Sequence, residues 1–358
     1  MPYCIHRYVR HPSGSVEPTR FGIVQTTDRR PTSAVRGVRL THDRRTLGWV
    51  SDSSGTTSMV RIDGGAFRMG SAEFYADETP VHERTVGAFE VDVHPVTNEQ
   101  FAAFVEATGY VTVAERPLDP ADFPGVDPAD LVPGGLVFTP TAGPVDLRDW
   151  RQWWRWGAGA SWRHPSGPES SVDDKPTHPV VQVSLEDASS YAEWAGKRLP
   201  TEAEFEYAAR GGLDGARFAW GDEERPGGRL MVNQWQGSFP YRNTGAEGWV
   251  GTSPVMTFPP NGYGLYDVTG NVWEWTTDYY APRHEVPGSA AVDPGSRENL
   301  LSAASAEPGS RIPRRVLKGG SHLCSPEYCL RYRPAARSPQ ADDTATTHIG
   351  FRCVRDAT

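Results

Sequence analysis

Two cysteines, Cys324 and Cys329, are the residues whose type and spacing could do chemistry in this sequence. Residues at this spacing lie on opposite faces of a strand and share no helix face, so only a turn brings both sulfurs to one point. Ser325-Pro326-Glu327 between them is typical of a turn, because proline presets φ. Taken alone, the pair is compatible with a structural disulfide, two unrelated buried cysteines, a redox switch or a metal site, and its spacing is no standard zinc pattern.

The elements that must position this pair begin with the residues before it. Val316 and Leu317 form an apolar β-type run that leads into Gly319-Gly320, where the backbone gains freedom. Further back, apolar residues alternate on both sides of Asp63-Gly64-Gly65, which predicts a β-hairpin beginning at Met59. Residues 85–94 and 178–184 are predicted as further strands, and residues 282–314 as a mobile loop rich in Pro, Ala, Ser, Gly and Arg.

Three helices are predicted from their capping residues. Thr97-x-x-Gln100 is a capping box, and Gly109 ends the helix that follows it. Ser184-x-x-Asp187 opens the second helix. Thr201-x-x-Glu204 opens the third, which Gly211-Gly212 ends.

Composition limits the classes of protein. The chain has 358 residues, and its net charge of −9 argues against nucleic-acid binding. No apolar run approaches the roughly 18 residues of a membrane span, and the N-terminus lacks the apolar core of a secretory signal. The four cysteines are too few for a disulfide scaffold. We therefore expect a cytoplasmic monomer, in which a close pair of thiols is more often catalytic or metal-binding than structural.

Residues 1–57 differ from the rest of the chain. They are rich in arginine, and their apolar residues follow no period, so we predict a disordered arm. An arm that binds RNA or a protein partner is one alternative. Another is that Met59 is the true start of the protein.

Five motifs follow one another along the chain. They are Val60-Arg-Ile-x-Gly-Gly-x-Phe-x-Met-Gly-Ser71, Pro95-Val-Thr-Asn-x-x-Phe101, Gly196-Lys-Arg-Leu-Pro-Thr-Glu-Ala-Glu-x-Glu-Tyr-Ala208, Asn261-x-Tyr-Gly-Leu-Tyr-Asp-Val-x-Gly-Asn-Val-Trp-Glu-Trp275, and Lys318-Gly-Gly-Ser321 with Gly350-Phe-Arg-Cys353. Together they resemble those of the formylglycine-generating enzyme superfamily (sulfatase-modifying factors), in its bacterial form. The resemblance covers roughly residues 58–357. It implies one α+β domain over those residues, with the irregular C-type-lectin-like fold and low regular secondary structure of that family.

The segment Gly-Gly-Ser321-x-x-Cys324-x4-Cys329-x-Arg-Tyr-Arg333 resembles the signature of the catalytic members of this family. Such members oxidise the cysteine of a Cys-x-Pro-x-Arg motif in an unfolded sulfatase to Cα-formylglycine, using O2, Cu(I) and an external reductant. The resemblance implies that Cys324 and Cys329 bind Cu(I), a soft ion that prefers thiolates. It also implies catalytic roles for Ser321, beside the thiols, and Trp273, beside the substrate cysteine. A turn-closing hydrogen bond for Ser321 and core packing for Trp273 are the alternatives.

The same resemblance implies two structural calcium sites. Side-chain and backbone oxygens from glycine-bearing loops are the ligands that Ca²⁺ prefers. For each acidic residue, a solvated position in a loop is the alternative, and Glu247 stands where the family usually has Asp. The first site takes the side chains of Asn233 and Glu247 with the carbonyls of Gln234 and Trp249; the second takes Asp267 and Glu274 with the carbonyls of Gly270 and Val272.

Two other activities occur within the superfamily. Its iron-dependent sulfoxide synthases need a His-x3-His-x-Glu motif, and no histidine of this chain is arranged in that way. A non-catalytic, lectin-like binding role is the other alternative, but it gives no reason for paired thiols. Ala209 and Pro334 occupy positions where eukaryotic relatives have disulfide cysteines, so Cys353 has no evident partner.

Overall fold

The computed structural model describes residues 56–120, 127, 131–284 and 294–357. The predicted disorder of residues 1–57 therefore concerns residues outside the described ranges, apart from Thr56 and Thr57. Both of these threonines are buried. Lys197 Nζ donates to the Thr57 carbonyl oxygen at 3.0 Å, and Thr57 Oγ1 donates to Gln100 Oε1 at 2.9 Å. A chain that began at Met59 would lack both contacts.

The three predicted helices are confirmed, with their caps. Helix α1 (Asn98–Thr108) and helix α3 (Glu202–Arg210) each begin at a capping box and end at a left-handed glycine. Helix α2 (Leu185–Trp194) begins at the Ser184 capping box. These signals are local, because a cap satisfies amides within the first turn of its own helix. The inner faces of α1 and α2 pack into the main aromatic core through Phe101, Phe104 and Tyr191.

The predicted β-hairpin around Asp63-Gly64-Gly65 is wrong. Strand β1 (Met59–Ile62) pairs with β4 (Phe89–Asp92), and β2 (Gly65–Met69) pairs with β3 (His82–Val86). The two antiparallel pairs therefore form one long ribbon that bends at a corner. Gly64, with φ of 75°, packs so closely there that an added Cβ would lie 2.4 Å from the Gly87 carbonyl oxygen. The glycines thus make a bend between sheets, and the strands find their partners farther along the chain.

Two other predictions are corrected. Residues 178–184 are buried but form no continuous strand. Pro179 makes only an isolated bridge, to Thr97, and Gln182 is left-handed, with φ of 60°. Within the predicted mobile loop 282–314, helix α4 spans Pro294–Ser305. Residues 285–293 of that loop lie outside the described ranges.

A mixed four-stranded sheet carries the cysteine-bearing segment, with the strands in the order β10 (Ile349–Gly350), β7 (Trp273–Tyr279), β8 (Arg314–Lys318) and β9 (Arg337–Ala341). Strand β7 (Trp273–Tyr279) begins at Trp273, and β8 (Arg314–Lys318) is the predicted strand that leads into the cysteines. The chain then returns antiparallel in β9 (Arg337–Ala341), so both cysteines lie in the connection between two neighbouring strands.

The remaining strands are short. Strand β10 (Ile349–Gly350) runs parallel to β7, and β11 (Val354–Asp356) adds to β4 to complete a three-stranded sheet. Strands β5 (Gly134–Phe138) and β6 (Trp154–Ala158) form a separate pair. Short strands, a few helices and long loops around an aromatic core confirm the predicted α+β class with low regular secondary structure. None of the helices in the described ranges is long and apolar enough to cross a membrane.

Candidate active site in the cysteine loop

The two ends of the cysteine loop, residues 320–331, lie against each other between strands β8 and β9. Gly320 has φ of 74°, and an added Cβ would lie 2.5 Å from the Arg331 carbonyl oxygen. The outgoing and returning chains therefore touch backbone to backbone. A side chain at residue 320 would separate them and open the loop.

The predicted turn brings the two cysteines together. The amides of Tyr328 and Cys329 both donate to the Ser325 carbonyl oxygen, at 2.9 and 2.7 Å. Cys324 is buried and Cys329 partly exposed, and both are free thiols joined by a side-chain hydrogen bond. The sequence prediction that a turn lets the sulfurs converge is confirmed.

The two thiols differ in acidity. Burial opposes ionisation of Cys324, yet hydrogen bonds from the Cys329 thiol and the Ser321 amide hold the pKa of Cys324 below its ordinary value. The hydrogen bond to Cys324, together with burial, raises the pKa of Cys329 well above its ordinary value. Cys324 is therefore the more acidic sulfur of the pair, because the hydrogen bond from the Cys329 thiol favours its thiolate. A thiolate is the form that binds metals and acts as a nucleophile.

Ser321 and Trp273 both lie in this region. The Ser321 amide donates to Cys324 Sγ at 3.4 Å, and the Ser321 hydroxyl also bonds to that sulfur. Ser321 Oγ accepts from the Leu323 amide at 3.2 Å, so it also closes the turn, as the alternative interpretation expected. Trp273 is 5% exposed and belongs to the same core cluster as Cys324. Its packing role is therefore evident, and its role beside a substrate stays a prediction.

Aromatic side chains build the wall next to Cys329. The ring of Tyr328 stacks on Phe239 with centroids 4.6 Å apart, and Trp153 meets Tyr328 edge-on. The Trp235 amide donates to the Cys324 carbonyl oxygen at 3.0 Å. Trp153 and Phe239 also belong to one hydrophobic cluster with Leu323 of the cysteine loop, a support that sequence reasoning had not foreseen.

Residues 74–78 hold the returning side of the loop, and the sequence analysis missed them. Tyr75 accepts a hydrogen bond from the Leu330 amide at 3.0 Å, and the Arg331 guanidinium lies over the Tyr75 ring at 4.4 Å. Glu78 makes a bidentate, fully buried ion pair with Arg333. A separation of 255 residues leaves no local signal for that pair.

The predicted copper ligands fit a soft ion with few ligands. Within the described ranges, no group of three or more His, Cys, Asp or Glu side chains is placed to hold a metal together. A site of two sulfurs, in which the pKa of Cys324 is lowered, suits Cu(I), because this ion accepts a low coordination number. It does not supply the three or four protein ligands typical of zinc and non-haem iron sites.

The side chain of Asn233 fits the first predicted calcium site. Its Nδ2 donates to the Gly251 carbonyl oxygen at 2.9 Å and to Asn271 Oδ1 at 3.3 Å. Its Oδ1 is buried and has no hydrogen-bond partner among the described residues. A buried acceptor without a partner is unfavourable, and a bound Ca²⁺ would supply that partner. Glu247 is exposed and lies with Trp249 in a tight turn. Two backbone hydrogen bonds of 2.9 Å, exchanged between Ala246 and Trp249, close this turn.

The second predicted calcium site fits less well. Both carboxylate oxygens of Glu274 accept from the Arg352 guanidinium, at 2.7 and 2.8 Å. Asp267 accepts from the Met256 amide at 2.8 Å, and burial raises its pKa to about 6. A cation there would compete with a buried guanidinium, so this site stays a prediction without support from an unpaired oxygen.

Comparison with known proteins shows which family this chain resembles. The model of the family described as "Sulfatase-modifying factor enzyme 1-like domain" matches residues 50–357. The formylglycine-generating enzyme of Mycobacterium tuberculosis is 64% identical over 302 residues, which cover 84% of this chain and 98% of that protein. A bovine (Bos taurus) relative named "Inactive C-alpha-formylglycine-generating enzyme 2" is 38% identical, covering 86% of this chain and 92% of the relative.

The solved structure of PvdO from Pseudomonas aeruginosa has a similar fold, with a TM-score of 0.53 and 24% identity. The likeness covers 85% of this chain and 95% of that one. Relatives with different names therefore share one scaffold, and activity has to be argued from the site.

Proposed function

Because the chain belongs to the sulfatase-modifying factor enzyme 1-like family, we propose that it oxidises a sulfatase cysteine to Cα-formylglycine. The substrate is an unfolded sulfatase segment with the motif Cys-x-Pro-x-Arg. O2 is the oxidant, an external reductant supplies electrons, and Cu(I) is held by Cys324 and Cys329. The protein acts as a cytoplasmic monomer.

The observation that carries the proposal is the hydrogen-bonded thiol pair. A buried Cys324 sulfur with a lowered pKa, hydrogen-bonded to the Cys329 thiol, is an arrangement that a purely structural role does not require. When copper is bound, it supplies the one-electron and O2 chemistry that amino-acid side chains lack. As ligands of Cu(I), Cys324 and Cys329 would both be thiolates, so the proton of the pair would be lost to solvent.

The residues of this chain do the positioning. The Ser321 amide and hydroxyl hold the Cys324 sulfur, and the Ser325 carbonyl oxygen fixes the backbone of Cys329. Tyr328, packed on Phe239, lies at the exposed edge of the site, where a substrate peptide would approach. Exclusion of water on the buried side, around Cys324, protects a reactive centre from side reactions.

The proposed reaction balances with these reactants. The substrate thiol-bearing methylene group loses its sulfur as hydrogen sulfide and becomes an aldehyde, with the carbonyl oxygen taken from water as a thioaldehyde hydrolyses. O2 is reduced to water, for which the substrate supplies two electrons and the external reductant two more. The reductant is therefore a stoichiometric reactant.

We further propose that Ca²⁺ binds at Asn233, where an unpaired buried oxygen supports a ligand role, with Glu247 and the carbonyls of Gln234 and Trp249. A second Ca²⁺ is proposed at Asp267, Glu274 and the carbonyls of Gly270 and Val272, where it would share Glu274 with Arg352. Neither set contains a residue of the cysteine loop, so neither ion would touch the thiol pair directly.

The proposal is tested with copper-loaded protein, a Cys-x-Pro-x-Arg peptide, a thiol reductant and air. Mass spectrometry should detect conversion of the peptide thiol to an aldehyde. Replacement of either loop cysteine, Cys324→Ser or Cys329→Ser, should abolish conversion. Cys353→Ala is the matched control, because Cys353 is also buried and free but bonds to Asp92 outside the loop.

The outcome separates the proposal from its rivals. An active wild type whose activity survives Cys324→Ser or Cys329→Ser would contradict the role of the thiol pair. A folded, copper-loaded wild type that never forms aldehyde would favour the non-catalytic binding alternative, and a bovine relative of this chain is itself named inactive.

A further inference from the structure

Asn271 connects the cysteine loop to the segment proposed to bind calcium. It is fully buried, and its backbone is left-handed, with φ of 58°. A residue other than glycine adopts this conformation at an energetic cost, and such positions persist where surrounding contacts determine them. Asparagine is among the residues that tolerate it best, because its short amide can bond locally.

On one side, Asn271 is bonded to the cysteine loop. Its carbonyl oxygen accepts from the His322 amide at 2.9 Å and from His322 Nδ1 at 2.8 Å. His322 lies between Ser321 and Cys324 and is buried. The neighbouring Gly270 amide donates to the Gly319 carbonyl oxygen at 2.9 Å, at the start of the same loop.

On the other side, Asn271 is bonded to Asn233 and its neighbours. Its amide donates to the Asn233 carbonyl oxygen at 2.9 Å, and its Oδ1 accepts from Asn233 Nδ2 at 3.3 Å. Its side chain also exchanges hydrogen bonds with the Ser253 backbone, at 3.0 and 3.2 Å. The other face of the same Asn233 amide is the unpaired Oδ1 that we assign to Ca²⁺.

We propose that Asn271 is a positioning residue that transmits occupancy of the Asn233 calcium site to the cysteine loop, so that Ca²⁺ controls the accessibility of the thiol pair. A cation at Asn233 Oδ1 fixes which way that amide points, and Nδ2 then holds Asn271 Oδ1. Asn271 in turn holds His322 and the loop. The proposal rests on the calcium site proposed above and does not depend on copper or on formylglycine formation.

The test measures alkylation of Cys324 and Cys329 by iodoacetamide in reduced, copper-free protein at one fixed pH. Peptide mass spectrometry follows each cysteine with Ca²⁺ or with EGTA present. Cys324 is 1% exposed, so its alkylation requires the loop to open. Removal of Ca²⁺ by EGTA should increase the rate of Cys324 alkylation on the order of tenfold, because the two hydrogen bonds from His322 to Asn271 weaken and the loop opens more often.

The variant Asn271→Gly should lose the response to Ca²⁺, because glycine keeps the positive φ and the backbone carbonyl but has no Oδ1 to accept from Asn233 Nδ2. Asn261→Gly is the matched control. The Asn261 side chain also holds a loop, donating to the carbonyl oxygens of Ala208 and Ala209, but it has no bond to the cysteine loop. The control should keep the wild-type response. Asn271→Ala, which also lacks Oδ1, replaces Asn271→Gly if that variant does not fold.

Each outcome is decisive. Isothermal titration of the wild type with Ca²⁺ alone shows whether the ion binds, and absence of binding would overturn both the calcium site and this inference. Binding without a change in alkylation would overturn the inference while leaving the site intact. A folded Asn271 variant that responds to Ca²⁺ like wild type would overturn the role of Asn271. An inactive enzyme with intact Ca²⁺-dependent alkylation would refute the proposed reaction alone.

Discussion

Replacing Arg333 by Met should destabilise the protein more than any exposed ion-pair substitution. Arg333 and Glu78 are 1% and 0% exposed, and the guanidinium binds both carboxylate oxygens. Removal of one partner from a buried pair costs about 3–5 kcal/mol, because the other charge stays buried without compensation. For a domain of this size, that is a fall in Tm on the order of 10 °C. Arg333 Nε also donates to the Leu330 carbonyl oxygen at 2.6 Å, so the cysteine loop should loosen as well.

The loss should depend on pH in a definite direction. Burial, opposed by the hydrogen bond and charge of Arg333, already raises the pKa of Glu78 above its ordinary value of 4.5. Without the Arg333 guanidinium, the pKa of Glu78 rises further. A raised folded-state pKa gives stability that is present below the unfolded value and is lost as pH rises through the folded value. The defect of Arg333→Met relative to wild type should therefore be smallest below about pH 4.5 and grow toward neutral pH.

Thermal and urea unfolding of three variants measure this. The double variant Glu78→Leu with Arg333→Met should recover most of the loss, because it removes the unpaired charge. Arg355→Met is the control: its pair with Glu90 is exposed, with side-chain exposures of 46% and 25%, so about 1 kcal/mol or less is expected. A single variant as stable as the control, or a double variant less stable than the single one, would refute the reasoning.

Three further predictions concern the loop and the calcium segment. Ser321→Ala should raise the pH at which Cys324 becomes reactive to iodoacetamide, since a hydrogen bond that lowers its pKa is lost; an unchanged profile would contradict this. Gly320→Ala should lower the free energy of unfolding by more than about 2 kcal/mol and should weaken Cu(I) binding in a competition titration. Gly143→Ala is the control, because an added Cβ there would meet nothing within 4 Å and stability should not change. Ca²⁺ at about 100 times the Kd of the Asn233 site should stabilise wild type by about 2.7 kcal/mol through that site. Asn233→Ala should lose this increment, and equal effects of Ca²⁺ on both proteins would exclude the site.

Local features of this fold could be predicted from the sequence, and contacts between distant segments could not. The caps at Thr97 and Thr201 and the Ser325 turn are satisfied within a few residues, so their sequence is sufficient. Asp63-Gly64 has the composition of a hairpin turn, but which strand pairs with which depends on the distant corner at Gly87.

The candidate site divides in the same way. The cysteine pair and Ser321 were predicted because they are close in sequence and match a family signature. Their supports were not, because Tyr75 and Glu78 reach the loop from 255 residues away and no periodicity records such a contact. The hydrogen bonds of Asn271 are equally invisible in sequence, where it is one residue of the segment Gly-Asn-Val-Trp.

The account depends most directly on copper being held by the thiol pair. X-ray absorption at the copper K edge, on reduced protein loaded with Cu(I), reports the ligand atoms. We predict two sulfur ligands in wild type and in Cys353→Ala, and loss of the sulfur signal when Cys324 and Cys329 are both replaced by Ser. Copper bound without sulfur ligands in wild type, or a sulfur signal that survives the double replacement, would contradict the account.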